Sequence, residues 1–216
     1  MIKAIIFDYD GLLVDTEDLW FQSCRKLCGE YGVELTEQHR EELMRSGLSA
    51  YLVQRFSIPD SVEAIKAKLN GIFNDLTKDG IKPLPGAIEL VRNLSKKYPL
   101  AIASGSHRET ILAALRSLEI LDCFKVVVGI KEVANGKPAP DLFLKAAKEL
   151  DIDPKEILVF EDQPKGLSSA KAASMHCIVI PNKYLQNMDY SRADMVVESL
   201  ELITDELIQE IGKQRE

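Results

Sequence analysis

From Ala87 onward the chain alternates short apolar runs with amphipathic stretches, and no other feature constrains the fold as strongly. The spacing predicts helices over 87–97, 108–118, 141–150, 166–173 and 199–211. Between them lie "LAIAS" (100–104), "FKVVVG" (124–129), "ILVFED" (157–162), "CIVIP" (177–181) and a weaker "MVV" (195–197). Apolar runs this short, without polar alternation, suit strands buried on both faces, as in a parallel sheet covered by helices. One more run of this kind, "AIIF" from Ala4 to Phe7, stands at the N-terminus. A solitary strand is not stable, so it must join the same sheet.

Between residues 17 and 79 the strand pattern is absent. Trp20, Cys24, Leu27, Cys28 and Tyr31 share one helical stripe, and Val62, Ile65, Leu69, Ile72, Phe73 and Leu76 share a longer one. Shorter helices are expected near 37–45 and 50–56, the second stopped by "IPDS". A turn rich in Gly and Pro, "KDGIKPLPG", leads back to the alternating region. The expected fold class is α/β: a Rossmann-like parallel sheet core with helices on both faces, plus an inserted helical-bundle cap domain. The core would comprise 1–14 and 82–216 and the cap 15–81, within the reach of 216 residues.

The formal net charge is −7, with no stripe of Lys or Arg, which argues against nucleic acid or an anionic membrane as partner. Four scattered cysteines fit a reducing, cytoplasmic setting. Cys24 and Cys28 read as small buried hydrophobes, because no second Cys or His pair has metal-site spacing. The chain runs straight into a strand without a secretory signal, and no apolar run is long enough to cross a bilayer. A monomer is the default expectation.

In open α/β sheets, functional groups gather beyond the carboxyl ends of the strands. The residues that follow the strands here are Asp8 and Asp10, then Ser104 and Gly105, then Glu161 and Asp162. Lys137 lies on the loop before "PAPD". Each alone has an ordinary reading: an acid at a strand end caps a turn, "SGS" caps a helix, and Lys137 is a surface lysine. Together, four carboxylates exceed what one lysine neutralises, and oxygen-only ligands favour Mg²⁺ over zinc. A magnesium ion held this way commonly also touches a substrate phosphate, and a carboxylate can act as a nucleophile towards phosphorus.

"DYDGLLVDTE", Ser104 in "IASGS", Lys137 in "GKPAPD" and "VFEDQPKG" resemble, in order, the four motifs of the haloacid dehalogenase superfamily. The match is to its capped phosphatase and β-phosphoglucomutase-like branch, and it spans essentially the whole chain. The resemblance implies that Asp8 is the nucleophile and a Mg²⁺ ligand. It implies that Asp10 is general acid to the leaving oxygen, then base for water, with its backbone carbonyl on the metal. Asp162 would bind the metal directly and Glu161 directly or through water. Ser104 and Lys137 would hold phosphoryl oxygens, helped by N–H groups around Gly11 and Gly105. Asp10 separates the chain from the superfamily's dehalogenases, which lack that second acid. Gln163 stands where the family usually has Ser.

The resemblance implies a phosphatase of a small phosphorylated metabolite, most naturally a sugar phosphate. A β-phosphoglucomutase-type phosphomutase and a non-catalytic binding protein on the same scaffold are the alternatives. The mutase's cap histidine has Trp20 at its position, and Ala50 follows "GLS" where the mutase has a phosphate-binding arginine. "DTEDLW" is similar to the "DTE-x-LW" of hexitol and deoxysugar phosphatases. Trp20 is then either a wall for a sugar ring or part of the bundle core, and Ser49 is a second candidate substrate contact. The cap is expected to hinge on 13–16 and 79–85. His39 is expected as an exposed helix residue, and His107 and His176 as structural or solvent-facing groups.

Overall fold

The structure, a computed structural model, describes residues 1–77 and 80–213. Lys78 and Asp79, where the returning turn and the second hinge strip begin, lie outside the described residues. The chain forms two compact units, Met1–Val14 with Lys82–Glu216, and Asp15–Ile81.

The first unit is built on a six-stranded parallel sheet in the order β3-β2-β1-β4-β5-β6. The strands are β1 (Ala4–Phe7), β2 (Leu100–Ala103), β3 (Phe124–Val128), β4 (Ile157–Glu161), β5 (His176–Val179) and β6 (Met195–Val196). On one face Ala4, Ile6, Ala101, Ala103, Ile157 and Val159 share a core with residues of two helices. These are α7 (Asp141–Leu150), through Leu142, Phe143 and Ala146, and α8 (Pro164–Ala172), through Leu167 and Ala170. The alternate residues Ile5, Phe7, Ile102, Leu158 and Phe160 are equally buried, which explains why β1, β2 and β4 read as unbroken apolar runs. Phe7 meets Phe160 at 5.1 Å between ring centroids and Phe124 at 6.0 Å. Two further helices, α5 (Ala87–Leu94) and α6 (Arg108–Ser117), complete the layers with their own buried stripes.

The order places β1 beside both β2 and β4, so the direction of strand addition reverses at β1. Such a reversal leaves a crevice above the strand ends, because successive crossovers diverge to opposite sides.

Several expected helices have different boundaries, and in two of them the cause is local. Helix α8 starts at Pro164, earlier than its apolar pattern, because proline fits the first helical position. The helix expected over 199–211 is divided into a 3₁₀ turn, Leu200–Leu202, and α9 (Asp205–Lys213). Ser199 Oγ accepts the Glu201 N–H at 3.2 Å and Thr204 Oγ1 the Leu207 N–H at 3.3 Å, so each piece has its own cap.

The second unit is helical: α1 (Glu17–Glu30), a 3₁₀ turn at Glu37–His39, α2 (Arg40–Ser46), α3 (Leu48–Phe56) and α4 (Val62–Leu76). Its core includes Phe21, Cys24, Leu27, Cys28, Leu43, Leu52, Ile65 and Leu69. Burial pushes the Cys24 thiol up to about 12 and the Cys28 thiol to about 11, so both pack as uncharged small hydrophobes. His39 is not the exposed helix residue that its sequence context suggests. Its Nδ1 accepts the Thr36 N–H at 3.2 Å, and its ring sits edge-on to Phe56 at 5.3 Å.

Trp20 stacks on Phe73 with centroids 3.9 Å apart and planes within 10°, joining α1 to α4. Because Trp20 is only partly buried, Trp20→Ala should cost about 2 kcal/mol, below the usual loss for a fully buried aromatic. Urea unfolding followed by circular dichroism measures this. An unchanged midpoint would show that the stack contributes nothing to the helical unit.

Candidate active site

The sheet register brings two acids level. Phe7 pairs with Phe160, and the Asp8 N–H donates to the Phe160 carbonyl at 2.9 Å. Asp8 continues the alternation of Ala4 and Ile6, and Glu161 that of Ile157 and Val159, so both project from adjacent strand ends on one face. Lys137, on the loop before α7, lies between them. Its Nζ is 2.6 Å from Asp8 Oδ1 and 2.6 Å from Glu161 Oε1, and 4.7 Å from the Phe143 ring centroid. The loop is tied down at both ends. The Asn135 N–H and Nδ2 donate to Asp141 Oδ2, each at 3.1 Å, and Ser169 Oγ donates to the Ala139 carbonyl at 2.6 Å.

Glu161 Oε2 accepts the N–H groups of Asp162 at 2.9 Å and Gln163 at 3.1 Å. These amides open the N-terminus of α8, where a carboxylate is favoured. Gly166 makes room for that carboxylate, since a Cβ there would fall 1.8 Å from Glu161 Cδ. Asp162 Oδ2 accepts Asn182 Nδ2 at 3.0 Å, and Asn182 Oδ1 in turn accepts the Tyr184 N–H at 3.1 Å. The Tyr190 hydroxyl donates to the Asp162 carbonyl at 3.1 Å. Gly11 turns the chain after β1 with φ +77°, and a Cβ on it would approach Asp162 Oδ2 to 2.6 Å. Both conditions exclude a side chain there. Beyond the turn, the Leu84 N–H donates to the Leu13 carbonyl at 3.0 Å.

Asp10 has different neighbours. Its Oδ2 accepts Ser104 Oγ at 2.9 Å and Ser106 Oγ at 2.7 Å, and the Ser106 N–H donates to Ser104 Oγ at 2.9 Å. Asp10 Oδ1 is buried and accepts no hydrogen bond from the described residues; the same holds for Asp162 Oδ1.

Burial is the largest influence on Asp8, Asp10 and Asp162. It pushes Asp8 up to about 7, with Lys137 pulling downward and Glu161 and Asp10 pushing further up. Asp162 is raised well above the carboxylate range by burial, then by Glu161 and Asp8. Asp10 is raised by burial against the opposing pull of the Ser106 and Ser104 hydroxyls. Burial alone would lower Lys137, but Asp8 and Glu161 hold it above its ordinary value, so it stays cationic. Asp8, Glu161 and Asp162 bring carboxylate oxygens within 4.8 Å of one another around this single lysine. The surplus of buried negative charge, the unpartnered Asp162 Oδ1 and the all-oxygen donor set fit a hard divalent cation.

Asp8, Glu161, Asp162 and Lys137 thus converge, with Asp10 and Ser104 beside them through the β1–β2 pairing. Gly11 lies against Asp162, and Gly105 follows Ser104 on an exposed turn. Trp20 and Ser49 belong to the helical unit, Trp20 in its stack and Ser49 half-buried in the first turn of α3. Sequence reasoning missed Ser106, Gly166, Asn182 and Tyr190 as members of this arrangement. Asn182 follows β5, so the strand-end rule could have found it. Gly166, a glycine within a helix five residues after Glu161, was a visible sign of close approach. Tyr190 carried no such sign.

Gly166→Ala should displace the Glu161 carboxylate from the α8 amides and from Lys137. The expected cost is about 1–3 kcal/mol of stability, read by chemical denaturation. Unchanged stability would mean the glycine is not needed for that contact.

Three comparisons place the chain among known proteins. Residues 5–180 match the family model described as haloacid dehalogenase-like hydrolase. A bifunctional riboflavin kinase/FMN phosphatase of Arabidopsis thaliana is 36% identical over 205 residues, covering 92% of this chain but only 53% of that longer protein. A phosphorylated carbohydrates phosphatase of Thermotoga maritima is 35% identical over 188 residues, 82% of this chain and 84% of that protein. Among solved structures, a β-phosphoglucomutase from Clostridium difficile superposes with a TM-score of 0.79 at 26% identity, covering 98% of this chain and 97% of the other. The chain belongs to the haloacid dehalogenase-like hydrolase family.

Proposed function

We propose that the protein is a Mg²⁺-dependent phosphomonoesterase that hydrolyses a small sugar phosphate through a phosphoryl group carried on Asp8. The observation that carries this reading is Asp8 itself. It stands at the strand-order reversal, bonded to Lys137 and level with Glu161, two residues from an acid held by two hydroxyls. The sugar phosphate is supported by the relative named for phosphorylated carbohydrates.

In the first step an Asp8 carboxylate oxygen bonds to phosphorus while the bond from phosphorus to the leaving oxygen breaks. Asp10 gives its proton to that oxygen, so the alcohol departs neutral. In the second step Asp10, now a carboxylate, takes a proton from water as the water oxygen bonds to phosphorus. The bond to Asp8 then breaks and inorganic phosphate leaves. Lys137 and the Ser104 hydroxyl hold phosphoryl oxygens in both steps, helped by N–H groups around Gly11 and Gly105.

Asp8 and Asp162 would hold the Mg²⁺ with the backbone carbonyl of Asp10, and Glu161 alongside. Both Glu161 oxygens already have partners, whereas Asp162 Oδ1 has none among the described residues, which favours Asp162 as the direct ligand. When bound, Mg²⁺ supplies charge neutralisation for the phosphoryl oxygens.

Residues 1–14 and 82–216 would serve as the catalytic core and 15–81 as the cap that selects the leaving group. Four free thiols suit a reducing, cytoplasmic compartment, and no helix among the described residues is long and apolar enough to cross a membrane. A mutase reading draws on the likeness to β-phosphoglucomutase. Trp20 and Ala50, in place of that enzyme's cap histidine and arginine, favour water as the acceptor.

The test is release of phosphate from 4-nitrophenyl phosphate and a panel of sugar phosphates, with and without Mg²⁺. Turnover should require Mg²⁺, and Asp8→Asn should lower it by about a thousandfold or more. Calorimetry should show weaker Mg²⁺ binding in Asp162→Asn. Near-normal turnover in Asp8→Asn would remove the covalent step. Bisphosphate-primed conversion of β-glucose 1-phosphate to glucose 6-phosphate would establish the mutase instead.

A further inference from the structure

We infer that Ser106 is the positioning residue for the proton donor Asp10, holding one carboxylate oxygen so that the other delivers the proton to the leaving group. The inference rests on the reading of Asp10 as general acid, and it goes beyond that reading because the roles drawn from the four motifs give none to Ser106, the last residue of "IASGS".

The two oxygens of Asp10 have unequal surroundings. Oδ2 accepts both the Ser104 and the Ser106 hydroxyls, at 2.9 and 2.7 Å, while Oδ1 is buried with no hydrogen bond from the described residues. An oxygen that already accepts two donors is a poor place for a proton. The transferable proton therefore resides on Oδ1, the free oxygen.

Ser104 and Ser106 do not have equal duties. A hydroxyl has one proton to donate. In the proposed reaction Ser104 turns that proton to a phosphoryl oxygen, and it must then release Asp10. Its oxygen does not move in the exchange, because the Ser106 N–H donates to it at 2.9 Å whichever way its own proton points. Ser106 alone then keeps hold of Asp10 Oδ2. Without that hydroxyl, Asp10 would lose its last side-chain donor at the moment a phosphoryl group arrives, and Oδ1 would no longer be aimed.

The consequence is selective for the leaving group. A nitrophenolate departs with little help from an acid, whereas an alkoxide departs only with a proton. Since kcat/KM contains only the steps up to leaving-group departure, it separates this role from the later activation of water. For Ser106→Ala, kcat/KM on a hexose phosphate should fall by about 10- to 100-fold, while that on 4-nitrophenyl phosphate stays within about threefold. Ser106→Thr, which keeps a hydroxyl, should restore most of the sugar-phosphate value. If Ser106→Ala does not fold, as judged by circular dichroism, Ser106→Gly takes its place.

Equal losses on both substrates, or no loss on either, would overturn the role of Ser106 while leaving the phosphatase reading intact. A wild-type enzyme without Mg²⁺-dependent turnover, or an active Asp8→Asn, would overturn the reading beneath it instead. The two failures are therefore distinguishable.

Discussion

The site depends on a single buried cation. Lys137 bridges Asp8 and Glu161, from two neighbouring strands, with both contacts at 2.6 Å and its side chain only 6% exposed. Removing three charges from water is costly, and the cost is recovered only where each partner is also hydrogen-bonded. Glu161 meets that condition through the two amides at the start of α8, which is why a helix must begin immediately after β4. Gly166 then follows, because the carboxylate lies where its side chain would be. Lys137 meets it through two acids and an aromatic face, and its loop is pinned by Asp141 and Ser169. Asp162 is raised chiefly by burial against a smaller pull from Lys137, and its Oδ1 accepts no hydrogen bond from the described residues. That arrangement of oxygens suits a hard divalent cation.

Much of this was legible in the sequence because it follows from burial patterns. Ala4–Phe7, Leu100–Ala103 and residues 157–160 are apolar on both faces, as in a covered parallel sheet, and the polar residues that end them, Asp8, Ser104 and Glu161, fall at the strand tips without further assumption. Asp8, Ser104, Glu161 and Asp162 were accessible in this way, whereas Lys137 lies on the loop before α7. The carboxylate-holding residues were less accessible, since their role lies in where a hydroxyl or amide points. Ser106 reads as a helix cap until its Oγ is found on Asp10. Asn182 and Tyr190 reach Asp162 from a segment beyond β5 that has little periodicity, so only the three-dimensional path of the chain reveals them. The division of the last helix was missed for a related reason: Thr204 caps α9 through a local side-chain bond, which apolar spacing does not register.

Asp8 and Asp10 show how far neighbours, rather than residue type, decide chemistry. They are the same amino acid two positions apart on one strand end, and burial raises both. Asp8 has an ammonium group against one oxygen, which favours the anion and therefore a nucleophile. Among the described residues Asp10 accepts hydrogen bonds from two hydroxyls, both on one oxygen, and its other oxygen is buried without one. A carboxyl so placed is better suited to carry a proton than to lose it. Where two acids have environments that differ in this way, the surroundings suit one to the proposed nucleophile and the other to the proposed acid. In the proposed reaction, exchanging the ammonium and hydroxyl partners would exchange those roles, although the strand, the turn and both aspartates stayed the same.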